Sequence, residues 1–185
     1  LHTKRNTHNT MGSGGNDPQK YDPDASRESL DHSGMYAFAV ALEDGVWHHI
    51  NSYLPKRTHQ PDTITLWNKI STVESDEWNR RYDEPPPLER DHGCQAVVTY
   101  KDSKQVIDEL GVANAHPRGA RPFSRPEYIH KYETLAKGIV EPDESKRFLD
   151  TVQRLADLKP EKISGLNIVI SPDTLETLTP DRSIF

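Results

Sequence analysis

The chain has 185 residues, 33% of them hydrophobic and 28% charged, with 3 Trp, 7 Tyr and 4 Phe. That length suits one domain or a little more, and the aromatic content excludes a wholly disordered chain. Lys and Arg number 23 against 29 Asp and Glu, a net charge of -6, which gives no reason to expect nucleic acid or an anionic membrane as partner. The longest apolar run, Met35 to Leu42, falls far short of the roughly 20 residues of a membrane span. Cys94 is the one cysteine, so an intrachain disulfide and a Cys-based zinc or iron–sulfur site are excluded, and a reducing, cytoplasmic location is expected. The chain opens on Leu1 without a signal-peptide pattern and is expected to start mid-protein or to have been processed.

In chain order, residues 1–10 read as a weak edge strand, followed by a glycine-rich loop around Gly12, Gly14 and Gly15. A helix is predicted from Leu30 to Glu43, capped by Asp31 or Ser29 and stopped by Gly45. It is apolar almost all round, so burial on most sides is expected. Gly34 near its start implies close packing, ligand approach or a tolerated defect. Trp47 to Tyr53 reads as a short strand, Pro61 opens a helix through Leu66, Trp67 and Ile70, and Ile70 to Val73 reads as another strand. Asp76 to Tyr82 is a short helix, and Pro85-Pro86-Pro87 a stiff extended segment. Cys94 to Tyr100 and Gln105 to Val112 form the clearest hairpin, turning at Asp102-Ser103. Past His116-Pro117 the pattern is helical: Ser124 and Glu127 have capping-box spacing, Asp143 starts a further helix, and Pro160 and Pro172 begin helical turns. The composite is α+β, a small sheet with helices over 1–115 and a helical segment over 116–185.

The chemistry-bearing residues are few. The glycine cluster lacks the final glycine and following helix of a dinucleotide fingerprint, and no Walker sequence occurs. The 9 histidines include the neighbours His48 and His49, which in a strand point to opposite faces and cannot easily chelate one ion. No His-Glu-x-x-His is present, and no metal or other cofactor is expected. His32, Ser33 and Tyr36 fall in the first turn of the predicted helix and share a face, where free N–H groups favour an anion. Together they could bind a carboxylate and move a proton. They also read as ordinary capping plus a core tyrosine. Arg118 and Arg121 flank Gly119 in a loop that suits either anion binding or a rigid connection.

The stretch 30–45 places Ser33, Tyr36, Ala39, Ala41, Leu42 and Gly45 at the positions of a Ser-x-x-Tyr-x-x-Ala-x-Ala-Leu-x-x-Gly signature. With Asn16-Asp17-Pro18-Gln19-Lys20, Trp47-His48-His49, Ile70-Ser71-Thr72-Val73-Glu74 and Gly119-x-x-Pro122, it resembles the MmgE/PrpD family, most of all the branch that dehydrates 2-methylcitrate. Lys131-Tyr132 stands for the family's Lys-Phe, and Ile184-Phe185 resembles a natural carboxyl terminus. The resemblance implies a lid domain and returning helices, the carboxyl-terminal part of a cofactor-free lyase acting on a small polycarboxylate. It implies a missing N-terminal helical domain as partner, a homodimeric parent, and a setting in propionate catabolism through the methylcitrate cycle. Tyr36 matches an active-site tyrosine of the family with His32 beside it, so both are the expected catalytic residues. Ser33, Arg118 and Arg121 are the expected substrate-binding residues. Because most of the family's acid–base groups lie upstream, the chain alone is expected to be inactive. A sibling decarboxylase or epimerase, or a non-catalytic binding or structural module, is the alternative. Gly34, where the family has a bulkier residue, and Asn9-Thr10-Met11, where it has His-Tyr-x-Ile, depart from the pattern.

Overall fold

A computed structural model describes residues 1–177, and the expected carboxyl terminus at Ile184-Phe185 lies outside them. The fold is α+β. Two compact units divide the chain, the first running Leu1–Ala113 and the second beginning at Asn114.

The first unit holds a four-stranded sheet and six helices among the described residues. Strand β1 (His2–Thr3) leads into helix α1 (Arg5–Thr10), so the strand expected over 1–10 is only its first part. The Thr10 hydroxyl bonds back to the Asn6 carbonyl at 2.8 Å, a helical turn that short polar residues allow where alternation is poor. Helices α2 (Arg27–Asp31) and α3 (Gly34–Asp44) replace the single helix expected from Leu30. Short α4 (Pro55–Thr58) and α5 (Pro61–Trp67) each start on proline, whose missing N–H costs nothing there. Strand β2 is Val73–Glu74, later than expected, and helix α6 spans Asp76–Asp83. The Pro-rich segment ends in a 3-10 turn, Pro87–Glu89.

Strands β3 (Cys94–Thr99) and β4 (Gln105–Leu110) form the expected hairpin, with Ser103 at φ 66° in its turn. Sheet order is β2-β1-β3-β4, parallel between β1 and β2 and antiparallel elsewhere. Strand β1 is therefore interior, not an edge.

The core gathers on α3. Met35, Tyr36, Ala39 and Val40 are fully buried with Trp67 of α5, and Leu30 closes the cluster. The opposite side stays open: Leu42 is 53% exposed, so the helix is buried on one face only. Gly45 caps α3 at φ 66°, as the sequence suggests. Gly34 N donates to the Met11 carbonyl at 2.7 Å, and a Cβ on Gly34 would lie 3.2 Å from that oxygen. Close packing of backbone on backbone is therefore the reason for glycine here.

Glu43 and Asp44 end α3 at the negative pole of the helix, which disfavours carboxylates. Arg57 of α4 offsets them. Its guanidinium lies 2.7 Å from Glu43 and 3.0 Å from Asp44, and the residue is buried.

No strand forms over Trp47 to Tyr53. His48 Nδ1 accepts the main-chain N–H groups of Ile50 (3.1 Å) and Asn51 (3.0 Å), and this side-chain cap turns the backbone into a 3-10 helix, Asn51–Tyr53.

The second unit contains α7 (Arg125–Ala136), α8 (Pro142–Val152) and α9 (Pro172–Thr177). The expected capping box holds, with Ser124 N–H donating to Glu127 at 2.8 Å. Tyr132 of α7 packs its ring on Phe148 of α8, centroids 5.1 Å apart, while Tyr128 and Leu135 of α7 remain exposed. Arg147 of α8 ties the unit together, bonding Glu144 at 2.6 Å and the carbonyls of Gly165 and Asn167 at 2.6 and 2.8 Å. Among the described residues no helix is long and apolar enough to cross a membrane.

Candidate functional site

The break between α2 and α3 sets the site. Ser26, not Ser29 or Asp31, caps α2, its hydroxyl accepting the Ser29 N–H at 3.3 Å. The chain then leaves helical geometry at His32 and Ser33, and Ser33 caps α3 by accepting the Tyr36 N–H at 3.1 Å. His32 stands at this break with an exposed side chain, its ring Nδ1 2.9 Å from the Glu28 carbonyl oxygen. A carbonyl can only accept, so in the neutral ring Nδ1 carries the hydrogen and Nε2 keeps the lone pair. The arrangement leaves a base at the surface with its tautomer fixed by the fold.

Three side chains sit on the adjoining face of α2. The Tyr53 hydroxyl donates to Asp31 Oδ1, and the Arg27 guanidinium lies over the Tyr53 ring at 4.9 Å and 4.0 Å from Asp31. Arg27 and Asp31 are one helical turn apart and share that face. Burial first, and then the Asp31 carboxylate, raise the Tyr53 phenol above its usual range, so it stays protonated and a donor at neutral pH. Trp47 packs edge-on against the same ring at 5.1 Å. On the same short helix, Glu28 Oε2 is buried with no hydrogen-bond partner among the described residues.

The structure places the expected residues unevenly. Tyr36 has no exposed surface, and its hydroxyl donates to the Ser52 main-chain carbonyl. Burial pushes its pKa up to about 12. Its ring lies 4.7 Å from Trp67 and 5.8 Å from Trp47. In this fold Tyr36 is a core residue, its hydroxyl taken up by the main chain. It does not share a surface with His32 because the helix is interrupted between them.

Ser33 is likewise fully buried, donating to the Lys20 carbonyl at 2.7 Å while it caps Tyr36. Its hydrogen-bonding capacity serves the fold. The anion cradle expected at the helix start is also taken up, since Gly34 N–H serves Met11 and Tyr36 N–H serves Ser33. Arg118 and Arg121 are exposed in the loop before α7 and belong to the second unit, His32 to the first. Arg118 N–H donates to His116 Nδ1 at 3.1 Å, and Arg121 N–H to the Asn114 carbonyl at 3.0 Å, a locally bonded loop.

His48 and His49 stack at 4.6 Å rather than pointing apart, as the absence of a strand allows. Among the described residues no group of three or more His, Cys, Asp or Glu could hold a metal ion. Sequence reasoning missed Arg27 and Tyr53. The spacing of Arg27 and Asp31 on one helix turn was a usable signal, whereas nothing local pairs Tyr53 with Asp31, 22 residues away.

A mixed four-stranded sheet, an interrupted helix pair and a polar cluster at the interruption define an α+β domain with an exposed histidine. Residues 1–157 match the MmgE/PrpD C-terminal domain. The chain belongs to the MmgE/PrpD family, whose members are generally hydro-lyase- or isomerase-like enzymes.

Proposed function

We propose that this domain serves a hydro-lyase that removes water from 2-methylcitrate to give 2-methylaconitate, with His32 as its proton-transfer group. The observation that carries the reading is the 2.9 Å contact of His32 Nδ1 with the Glu28 carbonyl, which leaves Nε2 as an exposed base. In the reaction Nε2 takes the proton alpha to a carboxylate, the C–H pair becomes the new double bond, the leaving hydroxide takes a proton from solvent to depart as water, and Nε2 returns its own proton to solvent. Arg27 supplies positive charge on the adjoining face for a carboxylate, and Tyr53 remains a protonated donor beside it. Arg118 and Arg121 stay in the proposal as carboxylate-binding groups on their own exposed loop. The N-terminal domain of the family is the proposed partner, with a homodimeric, cytoplasmic parent.

The test follows the ultraviolet absorbance of the unsaturated product from 2-methylcitrate. It compares the 185-residue chain alone with the chain joined to a family N-terminal domain. The joined protein should turn over and the chain alone should not. Absence of turnover in the joined protein contradicts the reading. Exchange of the alpha proton with solvent deuterium, without loss of water, reassigns the reaction to isomerisation.

A further inference from the structure

Strand β4 closes one side of the sheet, and among the described residues no strand pairs with its outer edge. Every residue of β4 is exposed, the large apolar ones Val106, Ile107 and Leu110 at 52%, 59% and 50%. Tyr100 N–H donates to the Lys104 carbonyl at 2.8 Å, so the ladder bonds to β3 fall on the even-numbered residues of β4. Gln105, Ile107 and Glu109 therefore turn their main-chain N–H and carbonyl groups outward. The Glu109 N–H is met by the Asp108 carboxylate at 3.0 Å, a side chain standing in for a missing ladder partner. A free edge of this length, with apolar residues and no proline, glycine or lysine inside it, is a template for another strand.

The residues of β4 select the strand that fits. Its carboxylates, Asp108 and Glu109, lie toward one end, and Lys104 stands just before the other. Arg81 and Gln95 hold the Glu109 carboxylate at 3.2 and 3.4 Å, which takes part of its charge off the edge. Antiparallel pairing of β4 with a second copy of itself, about a two-fold axis at Ile107, sets Ile107 against its own copy and Gln105 against Glu109 of the second copy. These are the outward-turned residues, so their main-chain groups satisfy one another. Val97 of β3 lies opposite Ile107, and the pairing extends that apolar contact into a band across four strands. On the other face Lys104, which meets Asp102 of its own turn at 3.1 Å, falls opposite Leu110 of the second copy and diagonal to its Asp108, within reach of a long side chain. Moving the axis to Asp108 or Glu109 would set a carboxylate against its own copy. Moving it to Val106 or Gln105 would push Glu109 past the facing strand onto its turn.

We propose that two copies of this chain join edge to edge through β4, antiparallel about Ile107, into one sheet that runs through both. The pairing gives a surface to the homodimer proposed above. It uses no residue of the His32 cluster, so its failure and the failure of the dehydratase reading are separate results.

The experiment follows the 185-residue chain by sedimentation equilibrium over a concentration series. A reversible monomer–dimer equilibrium is expected. Ile107→Lys, which sets two cations face to face at the axis, should raise the dissociation constant roughly 10-fold or more. Leu88→Lys, at an exposed apolar residue outside the sheet, should change nothing. Should Ile107→Lys not fold, cysteine cross-linking decides. Under oxidised glutathione Ile107→Cys should form a disulfide with its own copy, mapped to residue 107, because hydrogen-bonded antiparallel residues stand about 5.5 Å apart at Cα. Gln105→Cys should not, since the two-fold axis offsets it from its copy along the strands. A chain that stays monomeric at every concentration, a dimer unaltered by folded Ile107→Lys, or cross-linking of Gln105→Cys as readily as Ile107→Cys overturns the proposal. The first of these results would leave the edge to a strand of another protein.

Discussion

The Tyr36 hydroxyl donates to the Ser52 main-chain carbonyl from a position with no exposed surface. That bond ties the first turn of the core helix to the turn that follows Trp47. Tyr36→Phe keeps the ring's contacts with Trp47 and Trp67 and leaves one buried carbonyl without its donor. Stability should fall by about 1–2 kcal/mol. Turnover of the joined protein should change no more than a few-fold, since the phenol does not reach substrate. Urea unfolding and turnover on one preparation check this, and a hundred-fold loss of turnover in a stable variant would restore Tyr36 to the chemistry.

Arg57 joins α4 to the carboxylates that end α3, and it is the more buried member of each pair. Arg57→Ala should cost about 2–3 kcal/mol, because Glu43 and Asp44 are left together at the negative helix end. Glu43→Gln in the same chain should recover part of that loss. Fully additive effects in the double variant would show that the pair is not coupled.

The second unit should weaken in acid. Arg147 and the Val169 N–H hold the Glu144 carboxyl down to about 2, from an ordinary value of 4.5. A depressed carboxyl stabilises the fold fully above its ordinary value, and that contribution is lost as pH falls from about 4.5 toward 2. Glu144→Gln should flatten the decline of stability across this window. An unchanged acid profile in the variant would argue against the Arg147 clamp.

The hairpin, the Ser124 capping box and the proline-led helix at Pro61 were legible because each rests on residues a few positions apart. The break at His32-Ser33 was not. The apolar run from Met35 makes the helix look continuous, and Ser33 is seen as its cap only once Tyr36 N–H is found on its hydroxyl. The Trp47 to Tyr53 segment has the residues of a strand, but the His48 ring captures two main-chain donors that a ladder would need. Of the candidate site, His32 stands out by residue type, whereas the burial of Tyr36 is a property of the whole core and not of its neighbours in sequence. The pairing of Tyr53 with Asp31 depends on how α2 and the turn after Trp47 fold together, which no local pattern encodes.

His32 carries the account. Its side chain is exposed, so His32→Gln should change stability by no more than about 0.5 kcal/mol. If Nε2 moves the proton, turnover of 2-methylcitrate by the joined protein should drop by roughly 10²- to 10⁴-fold. The decisive measurement is turnover of wild type and His32→Gln, with the unfolding midpoint of each taken alongside. A loss of that size at unchanged stability is the predicted result; full turnover by a folded His32→Gln protein would contradict the assignment of proton transfer to this histidine.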